Sequence, residues 1–223
     1  YTILNSDYTS IFHPLRDFVK DLPKWDGKTD YIGELTSKMN TDDNDFFKDA
    51  FKRWFVAMVA CGLHDDIVNQ TAIIFSGEQG IGKSTFIRNL LPEQLRKYCY
   101  SGIINPNSKD TLIQLSECLI IDMDELSNLT KKGNNEVKEL ITKARIKIRR
   151  PYARIDENLP RRASFVGSVN DEEFLTDTTG NRRYLCFKVS DIDYSENLNY
   201  KGLYAQAIDL YNQGFKYYFD GNE

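Results

Sequence analysis

The chain has 223 residues, 41% of them hydrophobic and 28% charged, with a formal net charge of -4. That suits one large α/β domain, or a medium domain with a helical annex, and excludes both a disordered chain and a protein coated in basic residues for nucleic acid. No apolar run approaches the roughly 18 residues of a membrane-crossing helix, no secretory leader is visible, and Cys61, Cys99, Cys118 and Cys186 form neither a CxxC pair nor a cluster with His, so the expectation is a cytoplasmic, reduced protein without zinc or disulfides.

The first seventy residues read as a helical region. Pro14, Pro23 and Trp25 Asp26 Gly27 punctuate short segments. Phe47, Phe51, Trp54, Phe55 and Met58 then recur at helical spacing from about Asp45 to Cys61, a stripe that marks core. The opening of the chain has no initiator Met, which suggests a piece of a longer protein.

From Thr71 strand-like and helix-like runs alternate, the pattern of a parallel sheet with crossover helices. Thr71 to Ser76, with apolar Ala72 Ile73 Ile74 Phe75, reads as a buried strand, and Ser84 to Leu91 as the following helix. Between them Gly77 Glu78 Gln79 Gly80 Ile81 Gly82 Lys83 Ser84 fits GxxxxGK[ST], with Thr85 next. Glycines allow the tight turn, so that backbone N–H groups and the helix N-terminus converge on phosphate oxygens; Lys83 supplies a charge to the β and γ phosphates, and the Ser84 hydroxyl a ligand for Mg²⁺. This predicts a nucleoside triphosphate site, with ATP and Mg²⁺ as cofactors.

Asp110 to Ser116 reads as a helix and Cys118 to Asp122 as a strand ending in Asp122 Met123 Asp124 Glu125. Acids at the carboxyl end of a parallel strand lie beside a phosphate loop. Asp122 is expected to partner Mg²⁺ and Glu125 to polarise the attacking water, and Asp124 could exchange roles with either; an acidic helix cap is the other reading. Glu136 to Ala144 reads as a helix.

Between Lys143 and Arg162 stand eight basic residues in twenty positions. Arg145, Lys147 and Arg149 alternate with Ile146 and Ile148, as a strand with one cationic and one buried face does. Asp156 Glu157 Asn158 offers a reversal, and Arg161 and Arg162 would return on the second arm. Such a basic hairpin, at about 145–162, suits a phosphate backbone. Arg150 and Arg154 add charge and Tyr152 is available to stack on a base; a solvated strand edge is the alternative. Ala163 to Val169 reads as a strand ending in Asn170, whose amide could hold water or touch the γ-phosphate, or simply start a turn. Arg183 to Val189 reads as a strand and Gly202 to Asn212 as the closing helix. Arg182 or Arg183 could reach a γ-phosphate bound by a neighbouring subunit, which implies an oligomer.

Taken together, Trp25 Asp26 Gly27, Gly80 to Thr85, Asp122 to Leu126, Arg150 Pro151 Tyr152 Ala153 Arg154, Phe165 to Asn170, and Phe174 Leu175 Thr176 Asp177 with Gly180 to Arg183 resemble the virulence-associated protein E family of phage and mobile-element proteins. Its ATPase module is similar to superfamily III helicases of the AAA+ class. The resemblance implies a P-loop NTPase with a parallel sheet core over residues 71–223 and a helical region over 1–70. It further implies a nucleotide site of Lys83, Ser84, Asp122, Glu125 and Asn170, an arginine finger or sensor at Arg182 or Arg183, and a hairpin in the channel of a hexameric ring that moves single-stranded DNA. Asp122 stands where the family often has Glu, and the primase-like region that often precedes such modules is not in this sequence. A P-loop kinase, or an ATP-gated DNA-binding module that does not hydrolyse, are the competing readings. A GTPase is disfavoured because no NKxD motif occurs.

Overall fold

The computed structural model describes residues 13–123, 126, 131–149, 154–170, 183–193 and 198–220. Three short pieces lead in: helices α1 (Pro14–Lys20) and α2 (Tyr31–Thr36) and a three-residue strand β1 (Met39–Thr41). Helix α3 (Asn44–Leu63) begins where the Asp43 carboxylate accepts the Phe46 N–H, an N-cap that satisfies an otherwise orphaned donor. Its stripe of Phe47, Phe51, Trp54, Phe55 and Met58 is buried, and from Trp54 to Gly62 the helix is buried all round, so it is an interior element.

Six strands form the main sheet in the order β1-β8-β2-β7-β4-β3. Strands β2 (Ala72–Ser76), β3 (Cys99–Gly102), β4 (Ile120–Met123), β7 (Ser164–Val169) and β8 (Tyr184–Ile192) run parallel, and β1 closes one edge antiparallel to β8. The order explains the unbroken apolar run at Ala72–Phe75. Strand β2 lies between β7 and β8 with both faces covered: Ile73 and Phe75 face the cluster that holds α3, Phe86 and Ile87, while Ala72 and Ile74 face the cluster that holds Leu115, Val137 and Ile141.

The first face carries α1 to α3, the short α4 (Lys83–Arg88) and the closing helix α7 (Tyr200–Asn212); Leu15, Ile32, Trp54, Phe187 and Tyr204 belong to one apolar cluster. The N-terminal helices therefore share a core with the sheet. On the other face pack α5 (Lys109–Glu117), α6 (Lys131–Thr142) and a two-stranded ribbon, β5 (Arg145–Ile148) with β6 (Glu157–Pro160). A 3-10 turn over Glu93–Tyr98 leads into β3.

Three expectations need correction. Helix α4 stops at Arg88 rather than Leu91, because the Tyr200 hydroxyl donates to Asn89 O (2.9 Å) and the Tyr204 hydroxyl to Leu90 O (3.0 Å), which satisfies carbonyls at the helix end and lets the chain turn away. Glu157 and Asn158 are part of β6, not of the reversal. Arg161 does not return along a cationic arm. It is wholly buried, its Nη2 donates to Asn69 O at 2.5 Å, and its guanidinium lies 5.6 Å from the centre of the Phe165 ring. Arg162 turns to Asp65 instead of a solvent-facing row.

Asn69 ties that corner together: its Nδ2 donates to Trp54 O (3.2 Å) and Ser164 Oγ (3.1 Å). Removing Arg161 would leave Asn69 O unsatisfied in the interior and lose a charge-assisted hydrogen bond. Arg161→Ala should lower stability by about 2 kcal/mol, read as a reduced urea midpoint. The exposed Arg149→Ala should stay within about 0.5 kcal/mol of the parent.

Candidate functional site

The loop from Gly77 to Gly82 crosses from the carboxyl end of β2 to α4. Gly77 holds φ at 151°, and a Cβ there would lie 2.4 Å from Val189 O, so no larger residue fits. Gly82, at φ 98°, sits in the left-handed region as the helix begins. Glu78, Gln79 and Gly80 are exposed, Ile81 packs half-buried against the core, and Ser84 and Thr85 are exposed on the first turn of α4. With six residues, α4 is too short for its dipole to carry an anion alone. Any anion here would have to be met by the loop's own N–H groups and Lys83 as well.

Lys83 is 6% exposed. Its ammonium donates to Gly77 O at 2.6 Å, to Glu78 O at 2.8 Å and to Asn170 Oδ1 at 3.4 Å. Burial holds its pKa below the ordinary lysine value. Asn170 follows β7, paired with β2 so that Ser76 lies opposite Val169. Two neighbouring strands thus bring the lysine and the amide into contact. Because an ammonium only donates, Asn170 must turn its oxygen to Lys83, which leaves its NH₂ for an acceptor.

Asp122 lies on β4, the strand beyond β7, opposite Val166. It is 2% exposed. Ile121 and Met123 point into the cluster on the α5 and α6 side and Ile120 into the other, so alternation puts Asp122 on the face that α4 covers. By register it stands three residues, roughly 10 Å, behind the rung of Ser76 and Val169. Its Oδ2 accepts from Ser101 Oγ at 2.9 Å, across the parallel pair Ser101–Asp122 of β3 and β4. Sequence reasoning missed Ser101, and no signal pointed to it: Cys99–Gly102 is a short, partly exposed edge strand without periodicity. Asp124, Glu125 and Arg182 lie outside the described residues.

Arg183 is not part of this cluster. It precedes β8, and since Tyr184 pairs with Ala72 at the amino end of β2, it stands a full strand length from the glycine loop. There it lines a cavity of about 750 Å³ with Asn69, Thr71, Leu185 and Tyr217. Within one chain Arg183 and Lys83 belong to opposite edges of the sheet.

The ribbon has one face in the core, with Ile146 at 1% and Ile148 at 5% exposure, while Arg145, Lys147 and Arg149 are exposed. Lys147 lies 3.6 Å from Asp156, and Arg154 is exposed beside Ile155, itself 75% exposed. Arg150 and Tyr152 lie outside the described residues. Among the described residues no helix is long and apolar enough to cross a membrane, and no group of three or more His, Cys, Asp or Glu converges.

These features define a mixed α/β domain whose mostly parallel sheet joins a glycine-loop lysine to an amide from the neighbouring strand, with a cationic ribbon on one flank. The chain belongs to the virulence-associated protein E-like family, whose domain matches residues 19–223. Among solved structures it is similar to the apo C-terminal region of NrS-1 (305–718), with a TM-score of 0.58 and 18% identity over 91% of this chain and 48% of that one. A second form of the same region gives a TM-score of 0.56 at 18% identity, over 91% of this chain and 47% of that one. The likeness is one of fold, and this chain spans about half the length of those structures. No curated protein matches the sequence.

The thiols near the site are chemically quiet. Burial, reinforced by the Asp122 charge, raises Cys99 to about 12, and burial with Glu117 nearby raises Cys118 to about 11. Raised values keep both protonated well above neutral pH, and the thiolate is the reactive form. At pH 8 iodoacetamide should therefore modify Cys99 and Cys118 in the native protein far more slowly than in urea, read residue by residue by mass spectrometry.

Proposed function

We propose that this chain is the ATPase module of a replication protein from a phage or mobile element, a P-loop NTPase of the AAA+, superfamily III helicase-like class that couples ATP hydrolysis to movement of single-stranded DNA. The observation that carries this reading is the Lys83–Asn170 contact at 3.4 Å, made possible because β7 lies between the glycine-loop strand and the acidic strand. Family membership and the fold of the NrS-1 C-terminal region support the replication setting.

Lys83 now spends its donors on Gly77 O and Glu78 O. A triphosphate in the loop offers this buried cation the opposite charge it lacks, and the ammonium would transfer from those carbonyls to the β and γ phosphates. The free NH₂ of Asn170 would then donate to a γ-phosphate oxygen or to the attacking water. Glu125 would polarise that water. Ser84 and Asp122 suit Mg²⁺, both being hard oxygen donors on the side of the sheet that α4 covers, with phosphate and water completing the shell. When bound, the ion would neutralise charge developing on the phosphates. Arg183, remote from its own Lys83, suits a role in trans, with Arg182 beside it in sequence. Either guanidinium would reach the triphosphate of a neighbouring subunit in a hexameric ring and make turnover depend on assembly. Arg145, Lys147, Arg149 and Arg154 would track the DNA backbone, joined by Arg150 and Tyr152.

Lys83→Ala should abolish ATP turnover and weaken binding of a fluorescent ATP analogue, and single-stranded DNA should stimulate the parent enzyme. Turnover that is equal with and without DNA at low salt would argue against translocation, and tight ATP binding without any turnover would favour the gated DNA-binding module. Replacing Arg145, Lys147 and Arg149 together by Ala should reduce the salt dependence of single-strand binding by about 0.7 log units for each phosphate that is no longer neutralised. An unchanged slope would remove the ribbon from the DNA path.

A further inference from the structure

We infer that Ser101 is a positioning residue that fixes the Asp122 carboxylate for a divalent cation shared with the nucleotide. The inference rests on the nucleotide-site reading above and extends it to a strand that reading did not use.

Ser101 and Asp122 are cross-strand partners on β3 and β4, and their contact of 2.9 Å follows directly from that register. Alternation puts both on one face, with Cys99 two residues before Ser101 on it. Asp122 is almost wholly buried, whereas Ser101 is exposed. A buried carboxylate that is to meet a cation must be ionised and must hold one rotamer. A hydroxyl that donates to one oxygen restricts rotation about the Cβ–Cγ bond. Ser101 thus sits on the solvent side of Asp122, with its hydroxyl donated to Oδ2. A threonine keeps the hydroxyl and suits a strand; an alanine removes the donor with little change in volume.

The test uses the full chain and Mn²⁺ as a spectroscopic stand-in for Mg²⁺. Mn²⁺ affinity is read by electron paramagnetic resonance in the presence of a non-hydrolysable ATP analogue, and affinity for that analogue is measured separately in EDTA. Ser101→Ala should weaken Mn²⁺ binding about tenfold, as loss of a hydrogen bond to a metal-binding carboxylate typically does, while analogue affinity in EDTA and the melting temperature stay at parent values. Ser101→Thr should restore Mn²⁺ binding. Equal Mn²⁺ affinity in parent and Ser101→Ala would overturn the inference and leave the nucleotide site intact. Loss of metal-free nucleotide binding together with a lower melting temperature would overturn it in favour of a purely structural role. A parent protein that binds no analogue under either condition would remove the nucleotide-site reading itself.

Discussion

A buried ammonium must be surrounded by oxygen, and at Lys83 that requirement organises the carboxyl edge of the sheet. Two of its acceptors are carbonyls of its own loop, so the loop must curl back over the side chain, and only glycine fits where Gly77 passes the backbone of Val189. The third is the amide of Asn170, which can reach only because β7 is the immediate neighbour of β2. Loop shape, strand order and side-chain chemistry are therefore one constraint seen at three scales. Exchange β7 with β4 and the lysine would lose its side-chain partner.

The charge of the chain is organised by the same sheet. A net charge of -4 conceals a ribbon whose exposed side is cationic, because alternation sends Ile146 and Ile148 into the core and leaves Arg145 and Lys147 outside. In the proposed reading the two ligands meet different parts of the molecule, the nucleotide at the ends of β2, β7 and β4 and the DNA along β5 and its continuation. Both parts rest on elements packed against a common sheet, so movement at one can bias the other without a dedicated linker.

Sequence made legible whatever depended on continuous burial or on a fixed spacing. Strands β2 and β7 stand within a residue of their expected bounds because both faces are covered and every position is apolar or small, and the glycine loop was plain from its spacing. Edges were not legible. Strands β1 and β3 are three and four residues long, and pairing rather than pattern makes them strands. Arg161 departs from its expected place for a related reason: a cation in a basic tract looks solvated until the fold supplies Asn69 O and the Phe165 ring. Ser101 carries no signal at all, since its contact with Asp122 depends wholly on which residue the sheet sets opposite it.

The apolar cluster that joins α1 to α3 with the sheet bears on how this molecule could be divided. A cut near residue 70 would look natural from the alternating pattern that starts there, yet it would strip Phe47 and Phe51 from the rings of Phe75, Phe86 and Phe187, and Phe55 from Tyr204, and leave a wide aromatic surface in water. It would also remove the hydrogen bond that Trp54 Nε1 donates to the Phe165 carbonyl at 3.1 Å, on the strand that leads to Asn170. The smallest autonomous unit is thus the helices and the sheet together, and an excised sheet half would be expected to aggregate before its chemistry could be assayed.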